Sequence, residues 1–288
     1  MHLAAVLRGA LAVTVCLAAT GCTAAGPSAG SLSQQPPVAA APSAEVRGEL
    51  LQFRRDVERR RLEIRLVAAG AGLVVEELQL QAPGLTVTSG LEGEAALRDG
   101  AGLDLPVTMG PADCTVSPAP PVAVLQLRDA TGARRTVAVP LDDDGLAGRL
   151  HDEDCADQAL LAQVDIRVTG AVPVPSPRGP ALQVSVALRR LDGTDPVAVT
   201  GTGSNTVYDI TAAGPLPTLR QGSAELQLLM VPARCDVHAL GESYRTGLIG
   251  LVVALGDTAP RPWVLTPDPD VRHTLETFAV TTCRPPAG

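Results

Sequence analysis

The strongest constraint on this chain is that part of it occurs twice. Leu105-Pro106-Val107-Thr108-Met109-Gly110-Pro111-Ala112-Asp113-Cys114-Thr115-Val116 aligns with Leu226-Gln227-Leu228-Leu229-Met230-Val231-Pro232-Ala233-Arg234-Cys235-Asp236-Val237. Leu, Met, Pro, Ala, Cys and Val recur at a constant offset of 121 residues. Upstream, Leu62-Glu63-Ile64-Arg65-Leu66-Val67 stands near the same offset from Leu182-Gln183-Val184-Ser185-Val186-Ala187. Self-similarity at a domain-sized period means duplication of one fold and not a solenoid of short repeats. It sets a first unit at 45–157 and a second at 158–288, each of ordinary domain size.

Within each unit the dominant pattern has period two. Leu62, Ile64 and Leu66 alternate with charges, as do Val164, Ile166 and Val168, and Leu182, Val184, Val186 and Leu188 alternate with Gln183, Ser185 and Ala187. Such alternation gives strands with one buried face. Further strands are expected at 73–80, 85–89, 102–109, 121–128, 134–140, 197–201, 205–211, 223–231, 247–255 and 273–282. The intervening clusters Ala82-Pro83-Gly84, Asp142-Asp143-Asp144-Gly145 and Leu191-Asp192-Gly193-Thr194-Asp195-Pro196 carry turn residues. Residues 48–60 place Leu50, Phe53 and Val57 at helical spacing, but the alternation that follows favours two strands around a charged turn. Short strands at this spacing predict an all-β chain of two tandem immunoglobulin-like β-sandwiches.

The N-terminus reads as an export signal. Arg8 charges a short leading segment, and residues 9–20 are apolar and uncharged. That run is too short to span a bilayer but fits the hydrophobic core of a signal peptide. It ends at Ala19-Thr20-Gly21-Cys22, a lipobox, so 1–21 is expected to be removed and Cys22 to be lipidated. Residues 22–44 hold almost no charge and few large apolar side chains, which predicts a disordered tether. Stable anchoring needs two or more acyl chains. The expected location is the extracytoplasmic face of a cell membrane.

Six cysteines are present. With Cys16 in the signal and Cys22 lipidated, Cys114, Cys155, Cys235 and Cys283 remain. An even set outside the membrane reads as disulfides. Three pairings are possible, and the repeat selects Cys114–Cys155 and Cys235–Cys283, one per unit. Loops of about 40–50 residues closed this way stabilise by roughly 3–4.5 kcal/mol.

Composition removes several functions. All 23 basic residues are Arg. Without Lys there is no Walker A loop, no Schiff base and no Ser-Lys nucleophile pair. A net charge of −8 argues against a general grip on nucleic acid. Scarce Lys and a single Asn, Asn205, beside abundant Ala, Gly, Arg and Pro suggest a GC-rich genome. Gly26-Pro27-Ser28-Ala29-Gly30 matches the G-x-S-x-G pattern, but a nucleophile elbow needs a strand before it and a helix after it, and this run lies in the tether.

Arg234-Cys235-Asp236-Val237-His238-Ala239-Leu240-Gly241-Glu242 resembles a stretch of uncharacterised exported actinobacterial proteins. These carry Arg-Cys-Asp-x-His-Ala, then an acidic residue, after a strand ending in Pro. Gln52, Arg54 and Asp56 match their Gln-x-Arg-x-Asp stretch. The resemblance covers about residues 45–288 and implies the two-sandwich architecture and the source. It implies no activity.

Arg234, Asp236, His238 and Glu242 form a candidate binding loop, whose plainer reading is a hydrogen-bonded turn beside a disulfide. Asp142–Asp144 with His151-Asp152-Glu153-Asp154 offers carboxylates, but at a spacing unlike a calcium loop, which favours a solvated loop. The run Arg54–Arg61 could face anionic headgroups, and the interleaved Asp56 and Glu58 oppose that. No catalytic set, metal site or cofactor motif stands out. The expected function is a non-enzymatic, membrane-anchored lipoprotein that binds an envelope protein or component through a sheet edge or the loop at 234–246. The alternatives are a lipoprotein binding a small solute and, more remotely, a metal-assisted hydrolase.

Overall fold

A computed structural model describes residues 45–283 apart from 71, 90, 92 and 242–244. The signal segment, the tether, Cys22 and Glu242 lie outside the described residues. Among those described, no helix is long and apolar enough to cross a membrane.

The chain is all-β and folds as two tandem immunoglobulin-like sandwiches. The first has eight strands: β1 (Val46–Leu51), β2 (Arg61–Ala68), β3 (Leu73–Gln81), β4 (Val87–Ser89), β5 (Ala95–Leu97), β6 (Gly102–Met109), β7 (Val122–Arg128) and β8 (Arg134–Asp142). Helix α1 (Leu146–Gln163) follows and runs without a loop into β9 (Val164–Ser176). Next come β10 (Gly179–Arg190), β11 (Val197–Gly203), β12 (Tyr208–Ala212), β13 (Thr218–Leu219) and β14 (Ser223–Pro232). Helix α2 (Val237–Gly241), β15 (Ile249–Leu255), β16 (Arg261–Leu265) and α3 (Pro269–Thr282) complete the chain.

The topology repeats strand for strand. The first unit orders its strands β4-β6-β2-β1 and β8-β7-β3-β5, and the second β12-β14-β10-β9 and β16-β15-β11-β13. Adding eight to each label of the first gives the second. The first unit also closes one seam with a short parallel pair, Gly48 opposite Leu141 and Glu49 opposite Asp142. A Cβ at position 48 would press on the Leu141 side chain, so glycine eases the approach of β1 to β8 here.

Alternation places the cores. Ala123, Leu125 and Leu127 of β7 are fully buried, as are Leu62, Ile64 and Leu66 of β2 and Leu182, Val184, Val186 and Leu188 of β10. Each such Leu, Ile or Val contributes about 1.5–3 kcal/mol on leaving water. Two separate clusters result, with Trp263 and Tyr208 in the second. Each sandwich carries its own disulfide, Cys114–Cys155 and Cys235–Cys283. In both, the bridge ties the loop after the sixth strand to the helix that follows the eighth.

Two segments differ from the sequence reading. Residues 273–282, expected as a strand, lie in α3. Pro269 at the first helical turn is preorganised for it. Leu275 and Ala279 are fully buried, and Val271 and Phe278 pack beside them, which is helical spacing. Packing of this stripe outweighs the strand preference of Thr274, Thr277, Val280 and Thr281. The acidic stretch 142–154, expected as a solvated loop, mostly forms α1. Asp143 accepts the Ala147 N–H at 2.8 Å, and acidic side chains suit a helix N-terminus. Residues 157 and 158 both lie within α1, whose Ala147 packs in the first core and Leu160 in the second.

Candidate functional site

The loop at 234–241 is built as a capped turn. Asp236 accepts the Ala239 N–H at 3.0 Å and so caps α2. Its other oxygen takes the Arg234 guanidinium at 3.1 Å. The Ala239 N–H first, and Arg234 after it, hold the Asp236 carboxyl below its ordinary range. Ala233 and Arg234 donate their N–H groups to the Val207 carbonyl, and Cys235 fixes the loop to the end of α3. His238 is exposed on α2. Arg234 and Asp236 are therefore brought together but spend their polar atoms on each other and on the helix cap.

The matching loop of the first sandwich is held differently. Asp154 of α1 accepts the Arg60 guanidinium at 2.8 Å and the Ala112 N–H at 3.0 Å. Gln158 donates to the Ala112 carbonyl at 3.0 Å, and Arg60 also donates to the Gly110 carbonyl at 2.8 Å. Beneath the loop sits His151, one of the few buried polar side chains. Its Nδ1 lies 3.1 Å from Asp152, and its Nε2 lies 3.6 Å from the sulfur of Cys155. Gly84, at positive φ, packs on the imidazole, and a Cβ there would come within 2.7 Å of the ring.

The charged run 54–61 disperses. Asp56 is buried against Arg55 and Arg61 at 3.5 and 3.7 Å. Arg61 also grips the buried Glu63 at 2.6 Å, and Arg60 turns toward Asp154. Glu58 meets Arg272 of α3 at 3.5 Å, and Asp157 of α1 meets Arg261 of β16 at 2.6 Å. The last two pairs join the two sandwiches, while Arg54, Arg55 and Arg59 stay exposed. Among the described residues, no three His, Cys, Asp or Glu side chains converge as metal ligands would.

One surface feature escaped sequence reasoning. The β9–β10 hairpin continues past the sandwich, and its inner side forms an open hollow of about 530 Å³ with α3. Pro173, Val174, Pro175, Pro180 and Phe278 line it. Ser176 is the one lining residue with a polar side chain, and its hydroxyl already donates to the Gly179 carbonyl at 2.7 Å. The sequence reading assigned no hairpin to the Pro-rich run 171–180, and it placed the partnering Phe278 in a strand.

No family model matches the chain, and no curated protein matches it. Among solved structures, a protein of unknown function from Porphyromonas gingivalis W83 is 14% identical at a TM-score of 0.21, over 76% of this chain and 96% of its own. A chaperone–tip adhesion subunit pre-assembly complex of Csu pili from Acinetobacter baumannii is 10% identical at 0.20, over 73% and 92%. The YadV chaperone is 9% identical at 0.19, over 73% and 94%. Likeness at this level carries none of their roles to this chain.

Proposed function

We propose that this chain is a lipid-anchored, non-enzymatic module on the extracytoplasmic face of a bacterial membrane, whose second sandwich binds another envelope protein. The observation that carries the reading is the chemistry of the hollow between the β9–β10 hairpin and Phe278. It is open, apolar and ringed by proline, and its one polar side chain is spent within the hairpin. Such a surface suits an apolar anchor residue of a protein partner, because partner binding concentrates in desolvated apolar pockets. Val172 stands more than half exposed on the same hairpin and widens the apolar area. The loop at 234–241 fits the role less well, since Asp236 serves its own helix.

A small solute is the second reading. The volume lies within the range of ligand pockets, but such pockets add placed polar groups to orient the ligand, and the lining here offers none that is unspent.

The test is in-cell crosslinking of the tagged chain, with Cys22→Ala as the mislocalised control and Phe278→Asp as the hollow variant. One envelope protein captured by the anchored parent and lost in both variants supports the proposal. Capture that survives Phe278→Asp removes the hollow from the interface. A parent with no specific capture, but with a ligand-dependent melting shift, turns the assignment to a solute.

A further inference from the structure

The two disulfides are topological equivalents, and in each the loop cysteine is exposed while the helix cysteine is half-buried. Their surroundings are not equivalent. Cys155 has the imidazole of His151 one helical turn away, with Nε2 at 3.6 Å from its sulfur. Among the described residues, Cys283 has the Arg234 carbonyl beside it, at 4.0 Å. The imidazole is buried, pinned by Gly84 on one side and oriented by Asp152 at Nδ1.

From this geometry we infer that Cys114–Cys155 is a thiol–disulfide exchange site, with Cys114 as the attacked sulfur and His151 as the proton donor to Cys155. An incoming thiolate forms a new S–S bond to the exposed Cys114 sulfur. The Cys114–Cys155 bond breaks, and its electron pair leaves on the Cys155 sulfur. With Asp152 accepting from Nδ1–H, the imidazolium form of His151 presents its second proton at Nε2 to that sulfur. Neutral His151 and a Cys155 thiol remain, and the same ring takes the proton back when the bridge re-forms. Exchange is faster when the leaving sulfur is better stabilised, and a neighbouring imidazolium provides that.

The loop stays in place when the bridge opens. Asp154 holds Arg60 and the Ala112 N–H, and Gln158 holds the Ala112 carbonyl. All of these act two to four residues from Cys114 or on the turns of α1 flanking Cys155. The two sulfurs therefore remain opposed, and the Cys155 thiolate can attack the mixed disulfide on Cys114, re-form the bridge and release the incoming thiol. The natural reactant is a small thiol or the thiolate of a dithiol oxidoreductase, and reduced glutathione is the probe for both.

The full chain is incubated with reduced glutathione under native conditions, quenched by alkylation and mapped by peptide mass spectrometry. The expected result is that Cys114–Cys155 opens at least about fivefold faster than Cys235–Cys283, with the glutathione adduct on Cys114. His151→Asn should remove that advantage and leave the Cys235–Cys283 rate unchanged. Equal rates in the parent, an adduct on Cys155, or an unaltered advantage in His151→Asn would overturn the inference. Circular dichroism checks the variant. If it is unfolded, the ratio of rates and the adduct position in the parent decide alone.

Discussion

At the scale of single residues, polar side chains at helix ends and under loops are where charge matters most. Asp236 is the clearest case, because its carboxyl is held below its ordinary range by the N–H it caps. A carboxyl lowered in the folded state stabilises above its unfolded pKa and loses that contribution as pH falls through the lowered value. Asn caps almost as well as Asp, so Asp236→Asn isolates the charge. The parent should melt higher than Asp236→Asn at pH 7, and the gap should close as pH falls below the ordinary Asp value of about 3.9 and through the lowered one, as thermal melts across pH will read. Asp154 tests a more buried group. Asp154→Ala strands the Ala112 N–H and leaves the Arg60 guanidinium with the Gly110 carbonyl but without its carboxylate. Arg60 keeps 40% of its side chain in solvent, so the loss should fall below that of a fully buried pair, at about 1–3 kcal/mol by urea unfolding.

At the scale of elements, the strands were legible and the helices were not, for two different reasons. The strands carry strict alternation, so Leu62, Ile64 and Leu66 or Leu182, Val184 and Val186 could be assigned to buried faces from spacing alone. The disulfides followed from the duplicated Pro-Ala-x-Cys. Helix α3 carried a readable stripe at Val271, Leu275, Phe278 and Ala279, but its threonines and valines argued for a strand until packing was known. Leu275→Ala should therefore cost about 2–5 kcal/mol, with a loss of helical signal in circular dichroism. Helix α1 had no apolar stripe to find. The side chains it turns inward include Asp154 and Gln158, whose partners lie on a loop and a turn far away in sequence. The binding loop was legible as a cluster of functional groups, but not as the cap of a five-residue helix. The hollow needed α3 to be seen at all.

At the scale of the whole molecule, α1 makes one body of two sandwiches. It has no linker to β9, gives Ala147 to one core and Leu160 to the other, and is flanked by the Glu58–Arg272 and Asp157–Arg261 pairs. Exposed ion pairs contribute little singly, so the shared helix should dominate the coupling. Trp263 is the single tryptophan and lies in the second core. Its fluorescence and the circular dichroism of the chain should then unfold together. Leu160→Ala should move both transitions by about 2–4 kcal/mol, and a shift confined to the fluorescence would show the sandwiches to be uncoupled.

The proline pair on β9 has a further consequence. Among the described residues, β9 is an outer strand of its sheet, and Pro173 and Pro175 share one phase of it. Proline offers no N–H, so this rim has lost donors on which another chain's backbone could nucleate. Copies of the chain can then meet edge to edge without zipping into filaments. The same rings that make the hollow apolar also keep neighbouring molecules separate.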